Sequence, residues 1–134
     1  MNIERIKTDV SKETDGTWVP FVLGIELKIA RAGNPKYKEC IRKLVEPVTK
    51  EIRNETATLE DFADILIKVR AKTILLDWKN LDDKDGNPIP YSSVKAEEFF
   101  RDPELQDFYK FVVATSESSA DFKKALIEDA EKNL

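Results

Sequence analysis

The run Asp82-Asp83-Lys84-Asp85-Gly86-Asn87 carries the oxygen donors of a calcium loop. Such a loop needs ligands at positions 1, 3 and 5, glycine at 6 and glutamate at 12. With Gly86 at position 6, Asp83 and Asp85 fall at 3 and 5, but Leu81 falls at 1 and Ser92 at 12. Two key ligands are absent, so a solvated turn is expected. Glu97/Glu98 and Asp102/Glu104 are the adjacent carboxylates that acid–base chemistry could use. That chemistry requires surroundings that push the two pKa values apart, and these pairs lie in acidic, polar stretches. Helix-start electrostatics account for Asp102 and Glu104. Cys40 has Lys38, Arg42 and Lys43 nearby, which would favour a thiolate. With no histidine in the chain, the usual partner base is missing, as are histidine-ligated metals. Beside Ile41, a buried structural thiol is expected. The glycines, Gly16, Gly24, Gly33 and Gly86, stand too far apart for a phosphate-cradling loop. A non-enzymatic protein with no cofactor and no metal is expected.

The elements that must position these residues belong to a chain of 134 residues, 41% apolar and 36% charged. That length suits one domain with an ordinary core. No apolar run is long enough to span a bilayer, the start is polar and the lone cysteine suits a reducing compartment. The expected location is cytoplasmic, with no membrane partner. The net charge is −4. Residues 1–54 carry 11 Lys and Arg against 8 Asp and Glu, whereas residues 82–134 carry 7 against 13. The acidic second half would repel nucleic acid. The basic residues from Arg31 to Arg53 are interleaved with Glu39, Glu46 and Glu51, as on a solvated helix face.

Periodicity predicts a mainly α (α+β) fold: an N-terminal β-hairpin packed on a small bundle of four to five helices. Residues 1–15 read as a flexible or edge segment, and 16–134 as a single α-rich domain. The alternation through Ile25-Glu26-Leu27-Lys28-Ile29, with Gly24 at the reversal, predicts a hairpin at about 17–30. Pro20 cannot donate to a ladder, so its strand belongs at an edge or a bulge. Asn34-Pro35 starts a helix over about 35–53, kinked at Pro47. Thr58 and Asp61 form a capping-box pattern opening a helix over 59–78. Its two apolar stripes predict burial on most sides. Helices over 93–100, 103–114 and 119–132 complete the reading. Phe99, Phe100, Phe108 and Phe111 cannot all share one helix face, so their apolar area serves either the ordinary core or a protein partner.

The order of several segments then matters. An aromatic hairpin leads into Ile29-Ala30-Arg31-Ala32-Gly33-Asn34-Pro35-Lys36-Tyr37. Leu75-Leu76-Asp77-Trp78 ends the middle helix. Asp85-Gly86-Asn87-Pro88-Ile89-Pro90-Tyr91 and Asp102-Pro103-Glu104-Leu105-Gln106-Asp107-Phe108 follow. This order, over about 17–125, resembles the tail assembly chaperones of long-tailed bacteriophages. The resemblance implies a non-enzymatic factor in the cytoplasm of the infected host, absent from the mature virion. It implies binding to the long helical tape measure protein, keeping it soluble while the tail tube assembles. It also implies contact with tail tube subunits through a longer, frameshifted form, and leaves self-association open. Such a client is held by apolar anchors in a groove, and Phe99, Phe100, Phe108 and Phe111 are the expected contributors. Two other readings compete. One is a structural tail or head-completion protein retained in the virion. The other is a small nucleic-acid-binding regulator acting through residues 31–53.

Overall fold

A computed structural model describes residues 2–118 and Phe122. The fold is mainly α with a small antiparallel sheet, as the periodicity predicts. Strands β1 (Thr17–Pro20) and β2 (Glu26–Ile29) pair with Thr17 opposite Ile29 and Pro20 opposite Glu26. Phe21 N–H donates to the Ile25 carbonyl at 2.8 Å, and Ile25 N–H to that of Val22 at 2.9 Å. The reversal between them is made by Leu23 and Gly24, with φ of 54° and 80°. Paired positive φ values are the sign of a type I′ turn, whose twist matches the strands it joins.

The expected helix over 59–78 is corrected. The helix stops at Thr73, and Leu75–Lys79 forms a third strand, β3, on the far side of β2. Glu26 faces Lys79 and Lys28 faces Asp77, while Ile29 faces Leu75, so a bulge leaves Leu76 unopposed. The apolar positions of this segment satisfy either period. The β-branched Thr73-Ile74 pair weakens the helix where β2 offers an unfilled edge, and the non-local ladder wins.

The expected edge position of Pro20 is observed, because β1 is an outer strand. Alternation from the bonded Phe21–Ile25 pair turns the backbone of Trp18 and Pro20 outward, and Pro20 has no N–H to offer there. The β3 edge is closed differently. Trp78 N–H donates to Asp77 Oδ1 at 2.8 Å, and the Tyr91 hydroxyl to the Leu75 carbonyl at 2.5 Å.

The N-terminal segment is not merely a loose edge. It forms a 3-10 turn, Ile3–Ile6, and helix α1 (Val10–Asp15), since Asn2 caps the turn by accepting from Glu4 N–H at 2.9 Å. Helix α2 (Pro35–Val45) starts at the Asn34 cap, and Pro47 breaks it as expected. A 3-10 turn, Glu46–Val48, intervenes before α3 (Thr49–Arg53). Helix α4 (Leu59–Thr73) opens with the complete Thr58–Asp61 capping box. Helix α5 (Ser93–Arg101) is followed by a 3-10 turn, Pro103–Leu105, and α6 (Gln106–Glu117). The 119–132 helix lies outside the described residues, apart from Phe122.

One face of the sheet contributes Val19, Leu27, Ile29, Leu75 and Trp78 to a core completed by Ala71, Ala96, Phe100, Phe108 and Val112. The expectation that α4 is buried on most sides is corrected. Only Val69, Ala71 and Thr73, near its end, are buried, whereas Leu59 is 89% and Phe62 42% exposed at its start. No residue of α2 or α3 is buried. With α2 packed against α4, residues 35–66 form an arm of helices in which no residue is fully buried.

Candidate functional site

The four phenylalanines expected to hold a partner are placed in the interior. Phe100 and Phe108 are buried, at 1% and 7% exposure, and Phe99 and Phe111 pack half-buried against the same core. The reason is visible in the ring contacts. Phe108 meets Phe100, Phe99 and Phe21 at centroid distances of 6.0, 6.2 and 5.7 Å. Phe21 also meets Phe111 at 4.8 Å, and Phe99 meets Trp78 at 5.4 Å. Adjacent Phe99 and Phe100 diverge, one toward the sheet and the other toward α6. The hairpin residue Phe21 fills the gap that a reading of the helices alone leaves open. Phe100 and Phe108 are therefore corrected from partner contacts to core.

Beside Phe100 the surface opens into a shallow cleft of about 460 Å³, lined by Ile67, Phe100, Arg101, Pro103, Gln106 and Tyr109. Three elements meet here, α4, α5 and α6, held apart by the Asp102-Pro103 turn. Asp102 Oδ1 accepts from Glu104 N–H at 2.9 Å, the helix-start role expected of it. Gln106 Nε2 donates to the carbonyls of Phe100 and Asp102, at 3.2 and 2.9 Å. Tyr109 stacks on Phe100 at 4.7 Å, and its hydroxyl accepts from Arg70 Nη1 at 2.7 Å. Arg101 donates to Asp64 at 2.5 Å and to Glu97 at 3.2 Å. The hydrogen bond from Arg101 holds the Asp64 carboxyl below the usual range, and the same bond raises the Arg101 pKa. The cleft thus has an apolar floor and a wall of fixed charge.

The sequence-level candidates for chemistry have structural partners. Asp83 Oδ1 accepts from Asp85 and Asn87 N–H, at 2.9 and 3.0 Å, and Gly86 turns the chain at φ 81°. Glu97 pairs with Arg101 and Glu98 with Lys95. Cys40 is half-buried on α2, not buried as expected. Among the described residues no group of three or more His, Cys, Asp or Glu could hold a metal ion. On the basic series, Arg42 pairs with Glu39 and Glu46, as interleaving suggests.

Some of the segments that carry the resemblance turn out to be junctions: the Ile29–Tyr37 stretch, and the pairing of Leu75–Trp78 with Asp85–Tyr91. Ala30 N–H donates to Ile74, Arg31 N–H to Glu13 and Ala32 N–H to Ser116, each at 2.8 Å. Asn34, 1% exposed, donates to the Arg31 carbonyl at 2.7 Å and accepts from Tyr37 N–H at 3.0 Å. One short stretch so ties together α1, α2, the junction between α4 and β3, and α6. Between the Leu75–Trp78 and Asp85–Tyr91 segments, Trp78 Nε1 donates to the Ile89 carbonyl at 2.7 Å, and the Tyr91 ring meets Trp78 edge-on at 4.9 Å.

Residues 32–133 match the family model described as YdaY prophage protein. The chain belongs to this phage family. The match begins inside the Ala30–Pro35 junction and takes in the arm, β3 and the cleft. No curated protein and no solved structure gives a significant match to the chain. No described helix is long and apolar enough to cross a membrane.

Proposed function

We propose that this protein is a non-enzymatic tail assembly chaperone of a bacteriophage, acting in the host cytoplasm on the tape measure protein. The observation that carries the reading is the cleft between α4, α5 and α6. Ile67 and Tyr109 offer apolar surface to such anchors over the buried ring of Phe100, and the rim of Arg101, Pro103 and Gln106 orients them. A long amphipathic helix presents such anchors at intervals of one turn, and unshielded it aggregates. Membership of a phage family and the ordered segment resemblance support this reading over an unrelated binding role.

The test is co-expression with the tape measure protein from the same tail gene cluster, followed by pull-down and a solubility assay. A soluble complex is expected where the tape measure alone is insoluble. Pro103→Asp combined with Tyr109→Gln should abolish the rescue while the circular dichroism spectrum stays that of the wild type. A folded wild-type protein that gives neither complex nor rescue overturns the reading. Detection of the chain in purified particles would favour a virion component instead.

A further inference from the structure

We propose that the tip of the α2–α4 arm docks on the tip of a second copy of this chain, around a two-fold axis. The inference is independent of any client. Leu59, Phe62 and Leu66 recur at i, i+3 and i+7 along the start of α4, on one face of the helix. Leu59 and Phe62 are 89% and 42% exposed, and Ala63 between them is exposed too. Such a stripe lies open at the end of an arm that contains no buried residue before Val69.

Charge names the occupant. Residues 35–53 carry six Lys and Arg against three Glu, whereas 55–66 carry four carboxylates and no base. Among the described residues, much of this charge makes no ion pair. Among the described residues Lys50, Arg53, Glu55 and Glu60 make no ion pair, although all four are exposed around the same tip. Both signs therefore stand side by side next to an apolar stripe. A two-fold contact brings each patch against itself inverted, so residue i meets j and j meets i. Lys50 and Arg53 of each copy then face Glu55 and Glu60 of the other while the stripes close together. A partner of one charge sign would be repelled by half of this patch.

Light scattering after size exclusion measures the mass of the full chain against concentration. The wild type is expected to approach twice the monomer mass as concentration rises, less so in high salt. Leu59→Glu with Phe62→Glu is expected to remain monomeric with an unchanged melting midpoint. Two charge variants make the test specific. Lys50→Glu/Arg53→Glu and Glu55→Lys/Glu60→Lys should each be monomeric alone and form a dimer when mixed. A wild type that stays monomeric to millimolar concentration overturns the proposal. So does a dimer that Leu59→Glu/Phe62→Glu leaves intact, or charge variants that fail to pair on mixing. If the wild type is monomeric and the Leu59/Phe62 substitution abolishes capture of the tape measure protein, the stripe belongs to that client instead.

Discussion

Phe108 touches the rings of Phe21, Phe99 and Phe100, and joins the hairpin to α5 and α6. Removing its ring leaves a cavity that three aromatic neighbours cannot fill. Phe108→Ala should lower stability by about 3–5 kcal/mol in chemical denaturation, and Phe108→Asp should prevent folding. Tyr91 acts through its hydroxyl. Burial, helped by the charge of Asp77, pushes its pKa up to about 12 from 10.0. Since the folded state holds the proton more tightly, stability is complete below pH 10 and falls as the pH rises toward 12. Tyr91→Phe should lose about 1 kcal/mol at neutral pH, with the hydrogen bond to Leu75 gone. It should also flatten the alkaline loss seen in thermal melts between those two pH values.

At the scale of elements, the hairpin stores strain at its tip. Leu23 holds a positive φ and is 97% exposed, and the Gly24 carbonyl beyond it accepts from Asn80 Nδ2 at 3.0 Å. Leu23→Asn should raise stability by about 0.5–1 kcal/mol in urea denaturation, since asparagine tolerates that backbone and leucine loses no packing. Gly16 is the opposite case. At φ 84°, an added Cβ would stand 3.0 Å from Leu76 Cδ1 and 3.3 Å from the Ile29 carbonyl oxygen. Gly16→Ala should lower the denaturation midpoint, by an amount equivalent to about 1–3 kcal/mol. The local signals were legible throughout: the Asn34 cap, the Pro47 break, the Thr58–Asp61 box and the edge position of Pro20. Strand β3 was not, because Leu75-Leu76-Asp77-Trp78 fits a helix until β2 is known to lack a neighbour. The site was obscured for the same reason. Whether Phe99, Phe100, Phe108 and Phe111 face a partner or the interior depends on Phe21, which is distant in sequence. The cleft exists only where three separate helices meet.

Over the whole molecule, the described parts from opposite ends of the chain are joined. Asp9 N–H donates to the Phe122 carbonyl at 2.9 Å, Phe122 is fully buried, and the Arg31 guanidinium lies 5.8 Å from its ring centroid. Phe122→Ala should cost about 3–5 kcal/mol and speed hydrogen exchange over residues 9–16 before the rest of the protein is affected. The sheet carries a different consequence, one of timing. β2 is the central strand, flanked by β1 just before it and by β3 only after the entire arm. On the ribosome the hairpin emerges with the second edge of β2 bare, and Leu27 and Ile29 uncovered. At about 5–20 residues per second, the chain from Ile29 to Lys79 takes seconds to follow. During that interval the nascent protein presents to its neighbours the same sticky strand that the finished molecule has sealed on both sides.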